Sequence, residues 1–167
     1  MRSSTQQTSK KKLSMYIPLF GGCIVVMLLV ALIAIGIRTG AEPDLNTRDA
    51  VAAAELTELN SAIAAFDTIG YPNADILGDI LPKLELHFHA ASVLDELLIE
   101  QYGEEYSLID AEIYRYIMLT MDEIKTAATQ GNSTSLGIEN MSVYMLLLRD
   151  QLAVRFDAQG AILPLNG

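Results

Sequence analysis

The chain has 167 residues, room for one ordinary domain or for a smaller domain with an anchor. Hydrophobic residues at 51 % and charged residues at 19 % exclude a disordered polar tail and a collagen-like repeat. A lone cysteine, Cys23, excludes an internal disulfide framework, and a net charge of −10 argues against nucleic-acid binding, which needs clustered Lys and Arg.

The charge is distributed unevenly. Arg2, Lys10, Lys11 and Lys12 stand in the first twelve residues without an acid. From Leu13 to Ile37 there is no charge, and all 21 acidic residues follow Arg38. With six basic residues beyond Arg38, that remainder carries a net charge of −15. The apolar stretch Leu19 to Ile37 would span roughly 28 Å as a helix, close to the ~30 Å hydrocarbon core of a bilayer. Pro18 is tolerable near a first helical turn, and Tyr16 sits where an interfacial aromatic belongs.

The expected layout follows. Residues 1–12 form a short basic tail, 13–38 a transmembrane anchor helix in contact with the bilayer through Leu13–Ile37, and 39–45 a linker. Residues 46–160 form a helical bundle and 161–167 an apolar tail. A cleaved signal peptide is the competing reading, but the apolar run is longer than the usual signal core. The Lys10-Lys11-Lys12 cluster keeps the N-terminus in the cytoplasm and sends the acidic remainder outside, into the periplasm of a Gram-negative cell.

Beyond the linker, helical periodicity is nearly continuous. Ala52, Leu56, Leu59, Ile63 and Phe66 define a first stripe, with Asn46 and Asp49 as a capping pair and Gly70-Tyr71-Pro72 as the stop. A second stripe is Leu77, Leu81, Leu84, Phe88, Ala91, Leu94 and Leu98. Pro82 predicts a short helix before it and a long one after, ended by Gly103.

Ser107 and Asp110 form a capping-box spacing for a third segment, with stripe Ile109, Ile113, Ile117, Met121, Ile124 and Ala128. Apolar residues on more than one side of Ile113–Met121 predict the most enclosed helix there. After a Gly131–Thr134 turn, a fourth segment runs from about Ile138 to Phe156, with Gly160 as terminator. The expected fold is all-α, an antiparallel four-helix bundle outside the cytoplasm behind a single N-terminal transmembrane helix. Leu84 to Ala90 also alternates with period two, a strand-like pattern, but helical spacing on both sides favours helix.

Candidate chemistry is sparse. His87 and His89 are a potential metal pair, yet two residues apart on a helix they diverge by about 200°. Glu85 and His89, four apart, predict an exposed ion pair. Met118, Met121, Met141 and Met145 form two helically spaced pairs whose thioethers would suit Cu(I), although methionine more commonly fills gaps in a core. The acid clusters Asp95-Glu96, Glu104-Glu105 and Asp122-Glu123 read as solvated helix faces.

No catalytic motif emerges, so no catalytic residues and no cofactor are expected. The functional expectation is a non-enzymatic, membrane-anchored subunit or assembly partner of a larger membrane or cell-envelope complex. The alternative is an extracytoplasmic bundle binding a small ligand or copper. For the apolar tail two fates are open, docking on its own bundle or inserting into a neighbour. Deleting Ala161 to Gly167 is expected to leave thermal stability nearly intact and abolish co-purification; a truncated domain that fails to fold would make the tail part of its own core.

Overall fold

The computed structural model describes residues 45–69 and 74–165. The expected anchor at 13–38 and the Gly70-Tyr71-Pro72 stop lie outside these residues. Among the described residues no helix is long and apolar enough to cross a membrane.

The described chain is a helical bundle of four α-helices without strands: α1 (Leu45–Asp67), α2 (Ala74–Tyr102), α3 (Ala111–Thr129) and α4 (Ser135–Leu152), with a 3₁₀ turn at Glu104–Tyr106. The packing is pairwise. Helix α1 lies on α2 and α3 on α4, while α1 with α4 and α2 with α3 form the thinner seams between the pairs. The core is drawn from all four: Leu59 and Phe66, Leu84, Phe88 and Leu94, Ile117 and Met121, Met141 and Leu148. Burying such side chains contributes about 1.5–3 kcal/mol each and selects these faces.

Charged and aromatic pairs mark the junctions. Nδ1–H of His87 on α2 donates to Glu58 Oε2 on α1 at 2.7 Å. Arg149 on α4 reaches Asp67 on α1, also at 2.7 Å. Glu85 pairs with Lys125 of α3 and not with His89, correcting the expected ion pair within one helix. A partner across the seam is what folding added. Phe88 meets Tyr114 edge-on between α2 and α3, and Tyr116 stacks on Tyr144 between α3 and α4 at 5.2 Å.

Several local expectations are corrected. Pro82 does not divide the second segment, because α2 continues through it. Pro82 faces solvent, so the carbonyl of Gly78, deprived of its amide partner, has access to water. Leu77, Ile80, Leu81 and Leu84 are all buried and hold the helix on both sides of the proline. Pro82→Ala restores one amide hydrogen bond and is expected to raise unfolding free energy by about 1–3 kcal/mol in chemical denaturation.

Asp110, not Ser107, caps α3: its Oδ1 accepts from the amides of Glu112 and Ile113 at 2.9 and 3.0 Å. Ser107 is turned inward to Asp95. Asp49 is held by Arg48 at 2.8 Å, and Asn46 lies within α1, which begins at Leu45. Nor is α3 the most enclosed helix, since Tyr116 and Leu119 are exposed on its outer side.

Helix α3 closes with Gly131 at φ 69°, the Asn132 amide bonding to Ala127 O and the Gly131 amide to Ala128 O. That pairing satisfies carbonyls the helix end would otherwise leave free. Helix α4 begins earlier than Ile138 and stops at Leu152, short of Phe156. Its first turn approaches α3 closely: a Cβ on Gly137 would stand 2.6 Å from Ile124 Cγ1.

Candidate functional site

Two features stand out once the helices are in place, one sealed inside and one open. The sealed one is a polar knot where α1, α2 and the segments flanking α3 and α4 converge. Glu55 projects from the core face of α1 with 0 % exposure, Asp95 from α2 with 7 %, and Arg155, just beyond α4, with 3 %.

Asp95 is well provided with donors: Ser107 Oγ–H donates to Oδ2 at 2.9 Å, and the Leu108 amide to Oδ1 at 2.8 Å. Glu55 is not; neither of its oxygens meets a donor elsewhere in the protein. Burial, followed by the neighbouring Asp95 carboxylate, pushes the Glu55 carboxyl up to about 10. At neutral pH it therefore holds a proton, with Asp95 the neighbouring carboxyl toward which it can be donated. Burial also raises Asp95, against the opposing pull of its donors.

Arg155 supplies the balancing positive charge. Burial lowers its pKa, and the two acids act to raise it. A positive charge facing two buried acids, one of them protonated, is the kind of compensation that makes buried ionisable groups tolerable.

Arg155 has a second task. Its Nε–H donates to Leu163 O at 3.2 Å, one Nη to Ser107 O at 2.6 Å and the other to Glu105 O at 3.0 Å. A planar guanidinium with five donors is suited to such a three-way clamp. It ties the C-terminal segment to the 3₁₀ turn, which Arg48 covers from α1 through the Tyr106 ring at 4.7 Å.

The C-terminal segment is fastened down accordingly. Phe156 and Ile162 form a single antiparallel bridge around a turn in which Gly160 takes φ 84°. Asp157 Oδ1 accepts from the Gln159 and Ala161 amides at 2.9 and 2.8 Å. Gly160 thus serves this small hairpin and does not terminate α4. Ile162 is 3 % exposed, and the Leu165 amide bonds to Glu105 O at 2.8 Å.

Of the two fates open to the tail, residues 161–165 take the first, and the expectation that deletion spares stability is corrected. Truncation after Gly160 is expected to remove about 2–4 kcal/mol of stability, read by chemical denaturation. The loss combines buried Ile162 with the hydrogen bonds that residues 161–165 make to Arg155, Asp157 and Glu105.

Asp95 was read as a solvated acid; it is buried, and only Glu96 beside it is exposed. Glu55 and Arg155 escaped notice although a signal existed. Glu55 falls between Ala52 and Leu59 at steps of three and four, on the core stripe itself, and Arg155 extends the Leu148–Leu152 stripe. A charge in register with a core face marks a buried ion.

His87 and His89 lie on α2, within a helix and not a strand; His87 is occupied by Glu58 and His89 is exposed. Met121, Met141 and Met145 are core residues at 1 %, 0 % and 2 % exposure, and Met118 is half-buried. No group of three His, Cys, Asp or Glu poised for a metal occurs among the described residues.

The open feature is the outer side of α3 and α4. Leu136, Val143, Leu146 and Leu147 on α4 are 70 %, 55 %, 53 % and 46 % exposed, and Tyr116 and Leu119 on α3 are 39 % and 51 % exposed. Leu136, Val143 and Leu147 are spaced seven and four apart, so they align on the side of α4 away from Met141 and Met145. Helix α4 is apolar on two opposed faces, and the bundle covers one. An exposed apolar patch is a candidate interaction surface. In comparisons with family models, curated proteins and solved structures, the chain matches none.

Proposed function

We propose that this protein is a non-enzymatic, membrane-anchored assembly subunit of a membrane or cell-envelope complex. In this reading Leu13–Ile37 is the single transmembrane anchor, with the N-terminus cytoplasmic and an antiparallel four-helix bundle outside the cytoplasm, periplasmic in a Gram-negative cell. The observation that carries the assembly role is the uncovered apolar side of α4 with Tyr116 and Leu119 of α3 beside it. The anchor rests on the uncharged run and its basic flank.

The buried knot fits a structural part. Its three ionisable side chains are enclosed by the bundle and Arg155 holds the C-terminal segment, which leaves the outer face as the place where a partner would act.

The test is purification of the full chain from its native membranes in mild detergent. The wild type is expected to bring companions in fixed ratio, and the double substitution Val143→Ser/Leu147→Ser to lose them while its melting curve stays the same. A monodisperse wild-type monomer without companions overturns the assembly reading. Protease added outside intact cells or spheroplasts is expected to trim the acidic domain; digestion only after lysis overturns the topology.

A further inference from the structure

We propose that the outer face of α3 and α4 receives a basic amphipathic helix of a partner protein. The inference rests on the assembly reading and names the chemistry of the partner.

The floor of the site is apolar and shallow. Leu136, Val143 and Leu147 run along α4, Leu146 widens the strip, and Leu119 and Tyr116 continue it onto α3. The parallel Tyr116–Tyr144 stack, with planes 5° apart, bridges α3 and α4. From Leu136 to Leu147 the strip extends about 17 Å, three helical turns. A docking helix would meet it with apolar residues at i, i+4, i+7 and i+11.

The rim decides the sign of the partner. Glu112, Asp122 and Glu123 on α3 and Glu139 and Asp150 on α4 are all exposed. Against these five carboxylates stand two arginines and Lys125, which Glu85 of α2 holds. Arg115 lies over the Tyr116 ring at 4.5 Å, and Arg149 is held by Asp67. A second copy would set carboxylates against carboxylates, in a region carrying a net charge of −15 beyond Arg38. An anionic lipid surface is disfavoured for the same reason. A helix with lysines or arginines flanking its apolar stripe satisfies both floor and rim.

The probe is a fluorescent 18-residue peptide with leucine at the four anchor positions and lysine on either side. Its control is the same peptide with glutamate in place of lysine. The full chain is held in nanodiscs of zwitterionic lipid, with empty nanodiscs as the blank.

The lysine peptide is expected to bind, to lose at least tenfold in affinity with Val143→Ser/Leu147→Ser, and to weaken several-fold between 0.05 and 0.5 M salt. The glutamate peptide is expected not to bind. Equal binding of the two peptides, or unchanged binding by the double variant, overturns the proposal. So does a concentration-dependent dimer that the double variant abolishes, which would make a second copy the occupant. Companions lost with the double variant, alongside a lysine peptide that fails to bind, would leave the assembly role standing and remove only the basic partner. Peptide binding without companions would do the reverse.

Discussion

Replacing Glu55 by glutamine is expected to flatten the pH dependence of folding stability between about pH 5 and 9. Glu55 is fully enclosed, with a carboxyl pushed up to about 10, whereas in the unfolded chain it ionises near the ordinary glutamate value of 4.5. Between those values the folded state binds a proton that the unfolded state has released. Stability from this group is complete below pH 4.5 and falls as pH rises, until the folded carboxyl itself ionises. The loss accumulates at about 1.4 kcal/mol per pH unit, reaching about 3 kcal/mol at pH 7.

Glutamine keeps the shape and can donate to Asp95, but it has no proton to release. Its second amide hydrogen lacks an evident acceptor, so the variant is expected to be the weaker protein near pH 4.5, by about 1–3 kcal/mol. It becomes the stronger one at alkaline pH. Urea unfolding of both proteins at unit steps of pH checks this through the difference between them. Two parallel curves would show that Glu55 is ionised in the folded protein and that the shared proton does not exist.

The second large effect belongs to Arg155. Substitution by methionine, of comparable length and apolar character, removes the donors to Leu163, Ser107 and Glu105 together with the charge balancing Asp95. Removing one partner from a buried ionic group typically costs about 3–5 kcal/mol, because the remaining charge and carbonyls lose their compensation. Arg155→Lys is expected to recover only a minor part, since an ammonium cannot span three carbonyls as the planar fork does. The penalty should shrink in acid, where Asp95 can take up a proton and lose its charge.

Hydrogen exchange separates the clamp from general destabilisation. The amides of Leu163 and Leu165, bonded to Arg155 O and Glu105 O, should lose protection in the methionine variant well before those of Leu59 or Leu94. Uniform loss across the bundle would show that Arg155 serves the core as a whole and not the C-terminal segment.

These two effects come from residues whose core register is visible in the sequence but whose partners are not. The helical character of the domain and its stops at Gly103 and Gly131 were legible in the sequence alone. The stripes Leu77–Leu98 and Met141–Leu152 repeat at helical spacing, and burial against any neighbour would select those faces. Gly103 and Gly131 take positive φ where they were expected to end helices, because no side chain opposes that backbone turn. The uncharged run from Leu13 to Ile37 is likewise plain in the sequence, and lies outside the residues the structure describes.

Tertiary structure decided the rest. Pro82 sits within a helix because the buried residues before and after it outweigh one missing hydrogen bond, a balance that local propensity does not contain. Glu55, Asp95 and Arg155 lie up to a hundred residues apart; helical spacing can set a charge on a core face, but only their convergence makes burial tolerable. The outward side of α4 was equally hidden. Its two apolar faces are alike as sequence, and which one is covered depends on where α1 and α3 pack. Periodicity is a local property of one chain segment, whereas the neutralisation of a buried charge and the covering of a face are properties of neighbours.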